Sequence, residues 1–202
     1  VKRRCRVPVM AMVRPRRSGF AYSQEDLDVM RRDVELFGEA GADGVVLGVL
    51  TASGEVEVAA CRSLALLAGG MQKVFHRAFD VTPQPFEALE TLIELGFTRI
   101  LTSGQAPSAL EGAETIRALI EQSKGRIEIL PAGSVRADNV REFVRATGCS
   151  QVHLAPIVAG EDPSTRTHPR ISFGVALDSR EGAFGRVDET AVREVVAALR
   201  AA

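Results

Sequence analysis

The sequence has no tryptophan and a single tyrosine, Tyr22. Proteins that hold single-stranded nucleic acid stack its bases on aromatic side chains, so this composition disfavours that class. The formal net charge is only -1, with 25 Lys and Arg against 26 Asp and Glu. The basic surface of a nucleic-acid-binding protein is therefore missing as well. We predict no nucleic-acid partner.

Long apolar runs are also missing. No stretch approaches the roughly 20 apolar residues of a membrane span, and the first residues, VKRRCRVPVM, lack the apolar segment of a signal peptide. The three cysteines, Cys5, Cys61 and Cys149, are odd in number and far apart, which favours reduced thiols over disulfides. These absences predict a cytoplasmic protein with no membrane partner. Because residue 1 is Val and not Met, we expect the chain to begin inside a longer protein.

What the sequence does contain is a regular alternation of apolar runs and helical stripes. Six runs have strand character: VPVMAMV, GVVLGVL, KVFHRAF, RILTS, IEILPAG and QVHLA, at residues 7–13, 44–50, 73–79, 99–103, 127–133 and 151–155. A helical stripe follows each run. Apolar runs without strict alternation are typical of parallel strands that are buried on both faces.

Two α/β folds are compatible with this order, an open doubly wound sheet and a (β/α)₈ barrel. No G-x-G-x-x-G follows the first strand, which weakens the dinucleotide-binding version of the open sheet. The units are roughly 25–37 residues long, close to the ~31 expected for eight units in about 250 residues. We predict one TIM-barrel-like domain over residues 1–202, lacking its first two strands, with a polar tail and a last helix from about residue 156. An incomplete barrel exposes two strand edges, which favours a homo-oligomer.

Polar residues cluster where the predicted strands end, and ligands of such folds bind at the carboxyl ends of the strands. The candidate ligand-binding residues are Arg14, Arg16, Ser103, Gly133 and Ser134. The strand period places His76 and Asp80 on one face of the third strand, about 13 Å apart. We predict that they act as acid and base on a small anionic ligand that the arginines attract.

Each of these residues has a structural interpretation too. His76 fits a hydrogen-bonded core histidine, the arginines fit a solvated rim, and the Gly133 turn fits an ordinary strand-to-helix junction. Met10 and Met12 share a strand face like a soft-metal pair, but such methionines more often fill a core. The residues themselves predict no metal site.

The strand-end segments resemble those of a known family. VPVMAMVRPRRSGFAYS, GVVLGVLTASGEVEV, VFHRAFD, LGFTRILTSGQAPSALEG and LPAGSVRADNV are similar to successive signatures of the CutC copper-homeostasis family. The resemblance implies a TIM barrel, a cytoplasmic location and copper(I) as the bound ion. The family's proposed cysteine ligands lie on strands that precede this chain, and nothing here replaces them. Two functions therefore stay open: a copper-binding homeostasis protein, or a barrel enzyme acting on a small anionic or phosphorylated substrate.

Overall fold

The computed structural model describes residues 1–4, 6–165, 167–168, 170–171 and 183–200. The chain divides into two compact units. The first comprises Val1–Val135 and Glu142–His153, and the second comprises Arg136–Arg141 and Leu154–Ala202. That both belong to one domain stays a prediction.

The first unit contains a parallel sheet whose strands follow one another in the order β1-β2-β3-β4-β5. The strands are β1 (Met10–Met12), β2 (Gly44–Leu47), β3 (Gln72–Phe75), β4 (Arg99–Thr102) and β5 (Glu128–Pro131). The helices between and after them are α1 (Gln24–Glu39), α2 (Val58–Leu67), α3 (Pro85–Glu94), α4 (Ala113–Ser123) and α5 (Val140–Thr147). This arrangement is a partial (β/α) barrel and confirms the predicted fold class.

Local sequence explains where the helices begin. Ser23 caps α1: its hydroxyl accepts from the backbone N–H of Asp26, and the Asp26 carboxylate accepts in return from the Ser23 N–H. The Glu57 carboxylate accepts from the N–H of Ala59 at the start of α2. Pro85 occupies the first turn of α3, where no N–H is needed. These caps fix the helix starts, and so the lengths of the loops that follow the strands.

The two faces of the sheet are covered to different extents. Val45, Leu47, Phe75 and Ile100 are fully buried in the main core, which also contains residues of the helices. The opposite face carries a smaller cluster of Val46, Val74, Leu101 and Ala132, with Met10 and Leu130 at its side. Met12 lies on this second face, two residues from Met10, and 52% of its surface is exposed. The second face is therefore the more open one.

The predicted sixth strand is wrong: residues 151–155 form no strand. The backbone N–H of His153 donates to the Pro131 carbonyl at 2.8 Å, so the segment starts to follow β5. The ladder goes no further, because the next carbonyl after β5, that of Gly133, accepts from the Ala109 N–H. Every second residue of the segment is exposed, so it also lacks a face buried enough to hold it as a strand.

The second unit contains structure within the predicted polar tail. β6 (Ile157–Glu161) pairs antiparallel with β7 (Ala183–Val187), and α6 (Glu189–Arg200) follows. The Asp188 carboxylate accepts from the Thr190 N–H at 3.0 Å and so caps the start of this helix.

Candidate functional site

The KVFHRAF segment changes conformation in its middle. β3 ends at Phe75, and Arg77–Val81 form a 3₁₀ helix. His76 caps that helix, because its Nδ1 accepts from the Ala78 N–H at 3.2 Å. The prediction that Asp80 continues the strand was therefore wrong, and the 13 Å spacing derived from it does not apply. The turn brings Asp80 over the end of β4.

The Asp80 carboxylate is held on several sides. The Ser103 N–H donates to Oδ1 and Oδ2 at 2.9 and 3.1 Å, and the Thr102 hydroxyl donates to Oδ1. The Arg77 Nε donates to Oδ2 at 2.7 Å, and only 9% of the Asp80 side chain is exposed. With this many donors bonded to it, the Asp80 carboxylate holds the neighbouring side chains and backbone in place. Its predicted role as acid or base stays a prediction.

The loop after β4 is shaped to receive this carboxylate. Gly104 and Gln105 both have left-handed backbones, with φ of 71° and 61°. A Cβ at Gly104 would lie 2.3 Å from the Gly112 carbonyl oxygen, so only glycine fits there. Consecutive N–H groups in such turns form an anion-binding concavity. Here the protein's own Asp80 occupies it.

Ser103 and Gly133 lie close together in the structure. A Cβ at Gly133 would be 3.3 Å from that of Ser103, and the Gly133 carbonyl accepts from the Ala109 N–H at 3.0 Å. Ser134, which follows, is exposed and has φ of 57°. The ends of β3, β4 and β5 therefore meet through Asp80, Ser103 and Gly133.

Sequence reasoning missed Arg77, which is not among the candidate site residues given above. Its Nη2 donates to the Ser103 hydroxyl at 2.7 Å while its Nε holds Asp80, and 45% of its side chain is exposed. The signal was the three-residue spacing of Arg77 and Asp80, which places two side chains together on a helical turn. It was overlooked because the segment had been interpreted as a strand.

His76 lies beside this cluster and is 4% exposed. A Cβ at Gly48 would be 2.6 Å from its Cε1 and Nδ1, so the ring lies directly against the backbone of Gly48. The ring of Phe20 is 5.0 Å away and that of Phe75 is 6.0 Å away. Removal from water, and secondly the charge of Arg14, lower the pKa of His76 to about 4. The imidazole is neutral at physiological pH.

The two predicted arginines have different surroundings. The Arg14 guanidinium lies 5.0 Å above the ring of Phe20, on a residue that is exposed. Arg16 instead donates to the Asp26 carboxylate at 2.9 Å and to two carbonyls of its own loop, those of Ser18 and Ala21. The structure therefore brings Arg14 to His76, whereas Arg16 fastens the loop to the start of α1.

Two histidines respond to arginine charge at the strand ends. Arg14 lowers the pKa of His76, and Arg77 lowers that of His153, in each case after the larger effect of desolvation. The backbone of His153 lies beside Pro131, at the end of β5. Both arginines therefore place positive charge near the carboxyl ends of the strands, where that of Arg77 is paired with Asp80.

Copper(I) requires soft donors that converge, preferably thiolates. Cys61 and Cys149 are both buried and free, and burial raises the pKa of both thiols, that of Cys61 to about 12. Within the described part of the chain, no group of three or more His, Cys, Asp or Glu could hold a metal ion. The described residues therefore do not fit a copper site.

Comparison with known proteins identifies the family. The model of the CutC family matches residues 1–158. The chain belongs to the CutC family. A CutC family protein of Treponema denticola is 47% identical over 177 residues, which cover 88% of this chain and 72% of that protein. The human copper homeostasis protein cutC homolog is 38% identical over 193 residues, 96% of this chain and 71% of its own length.

Solved structures agree with the fold. A CutC protein of Streptococcus agalactiae superposes with a TM-score of 0.71 at 36% identity and covers 73% of this chain and 72% of its own. An aldolase, QR15, is similar in fold alone, with a TM-score of 0.55 at 17% identity over 73% of this chain and 68% of its own. Over the described residues, no helix has the length and apolar character needed to cross a bilayer.

Proposed function

We propose that this CutC protein binds a small anionic molecule at the carboxyl ends of its parallel strands. The observation that carries this proposal is the pair of exposed arginines beside two histidines. Arg14 follows β1 and Arg77 follows β3, and each lowers the pKa of a neighbouring histidine. Arg77 is already paired with Asp80, and Arg14 adds a further positive charge at this edge of the sheet, which favours a carboxylate or a phosphate.

The Arg77 side chain is already held in a position from which it can contact such an anion. Asp80 and Ser103 fix its Nε and Nη2, so little conformational entropy is lost when a ligand contacts the exposed remainder of the guanidinium. The loop concavity after β4 is already filled by Asp80, so the ligand binds beside that loop, near Ser103, Gly133 and Ser134. The ligand is a substrate if His76 or Asp80 exchanges a proton with it, which is the enzyme alternative.

The role in copper homeostasis comes from the names of the human and mouse relatives. We extend that role to this protein, in the cytoplasm, where the free thiols of Cys61 and Cys149 stay reduced. The described residues favour an indirect contribution to copper homeostasis, through the anionic ligand. They favour it more than direct binding of the copper ion.

Calorimetric titration with inorganic phosphate tests the proposal. We expect binding at about millimolar concentration, weakened in Arg14→Gln by about 1.5–3 kcal/mol through loss of a charged hydrogen bond. Arg117→Gln is the control, because Arg117 is an exposed arginine on α4 and its loss removes the same charge. Equal binding by all three proteins, or binding by none, would return the arginines to a structural role.

A further inference from the structure

His76 has one ring nitrogen with a partner and one without. Nδ1 accepts from the Ala78 N–H at 3.2 Å, and a nitrogen that accepts carries no proton. The proton of a neutral imidazole must then be on Nε2. Nε2 is buried and has no hydrogen-bond partner in the structure.

A buried N–H donor without an acceptor is costly. The surroundings keep the ring in this costly arrangement. Gly48 leaves room for the ring, the rings of Phe20 and Phe75 lie within 6.0 Å of it, and the cap to Ala78 sets its rotation. Unpaired polar groups held in this way are concentrated at functional sites.

We infer that His76 is a fixed, neutral N–H donor, and that its Nε2–H donates to an oxygen of the anionic ligand. The inference rests on the proposed function and assigns His76 a role within it. The arginines supply charge, and His76 supplies one directional hydrogen bond. The ligand class is thereby narrowed to molecules that present a carboxylate, phosphate or carbonyl oxygen to an uncharged donor.

We place the path to Nε2 past the Phe20 side chain. The Phe20 ring is tilted by 54° to the His76 ring with the centroids 5.0 Å apart, is only partly buried, and has the exposed Arg14 guanidinium above it. A ligand drawn in by Arg14 therefore reaches His76 when the Phe20 ring turns aside. No proton is transferred in this step. The Nε2–H donates a hydrogen bond to the ligand when the ligand binds, and that bond breaks when the ligand leaves.

Nitrogen-15 NMR of the histidine-labelled protein tests the tautomer directly. The chain has only three histidines, and His168, which is exposed and outside the proposed site, serves as the internal reference. We expect His76 to show an unprotonated Nδ1 and a protonated Nε2 at neutral pH. Addition of inorganic phosphate should shift the Nε2 resonance of His76. A protonated Nδ1 would overturn the inference regardless of any binding.

Variants separate this inference from the proposed function. We expect His76→Phe to weaken phosphate binding about 10- to 100-fold, and His76→Gln to recover most of it, because the glutamine amide places an N–H near the position of Nε2. Circular dichroism checks that each variant is folded. If phosphate binds in an Arg14-dependent manner but leaves the Nε2 resonance unmoved, the anion site stands and this inference fails. If no phosphate binds, the proposed function itself fails.

Discussion

At the scale of single residues, the site depends on the absence of a side chain at Gly48. A Cβ at Gly48 would lie 2.6 Å from two atoms of the His76 ring and 3.3 Å from the Ala78 Cβ. Gly48 has no left-handed backbone, so packing alone requires glycine there.

We expect Gly48→Ala to reduce the free energy of unfolding by about 1–3 kcal/mol, the usual cost of overpacking a core. Urea denaturation measures the change. Gly70→Ala is the matched control: nothing lies within 4 Å of its Cβ position and its φ is not positive, so its effect should stay within about 0.5 kcal/mol. Equal effects of the two substitutions would show that His76 does not need this space.

His76 should also make stability depend on pH. Its pKa is about 4 in the folded protein and about 6.5 in an unfolded chain, so the unfolded chain binds the extra proton between these values. The contribution of the neutral ring is complete above about pH 6.5 and is lost as the pH falls towards 4. Between pH 7 and pH 5 the free energy of unfolding should fall by about 2 kcal/mol on this account.

Urea denaturation of wild type and His76→Gln at both pH values measures this contribution. In His76→Gln, most of the difference in the free energy of unfolding between pH 7 and pH 5 should disappear. His153→Gln serves as the comparison, because the pKa of His153 is lowered as well and its share has the same sign. A pH dependence that His76→Gln leaves intact would contradict the low pKa of His76.

At the scale of secondary-structure elements, the 3₁₀ helix after β3 joins three strand ends. Its Asp80 binds the Ser103 N–H and the Thr102 hydroxyl of the next strand end and holds Arg77 in place. Truncation of Asp80 leaves buried donors without an acceptor.

We therefore expect Asp80→Ala to lower the free energy of unfolding by about 2–3 kcal/mol, and to weaken phosphate binding because Arg77 loses its support. Asp28→Ala is the control, since Asp28 pairs with Arg31 on the exposed side of α1, and such surface pairs contribute at most about 1 kcal/mol. Unchanged stability of Asp80→Ala would mean that the loop after β4 holds its shape without the carboxylate.

The same elements show how far sequence reasoning extends. The five parallel strands were predicted because apolar runs are local signals. The turn at His76 was missed because a buried 3₁₀ helix and a buried strand have the same apolar composition. The failure of a strand at 151–155 depends on pairing with distant residues, which no local pattern contains. Arg14 was placed correctly at a strand end, whereas the pairing of Arg16 with Asp26 depends on how the loop closes.

At the scale of the whole molecule, the partial barrel separates two kinds of surface. The helix-facing side of the sheet is buried. Cys61 of α2 packs on this side, and its Sγ contacts the Val49 carbonyl at 3.5 Å. The other face ends in the arginines and His76, with Met10 and Met12 lower on the same side. The described thiols are thus separated from the polar strand ends, where we propose that a ligand binds.

This separation predicts weak copper(I) binding without a defined stoichiometry. Thiolates are the preferred ligands of copper(I), and the raised pKa values of Cys61 and Cys149 keep both as buried thiols. Thioethers are softer but uncharged donors, so the Met10 and Met12 pair alone should bind only loosely. Anaerobic competition against a copper(I) chelator of known affinity measures the binding, with Met10→Leu/Met12→Leu as the matched variant. Retention of one tightly bound ion by wild type would contradict the prediction, and its loss in the double variant would make the methionine face a copper site.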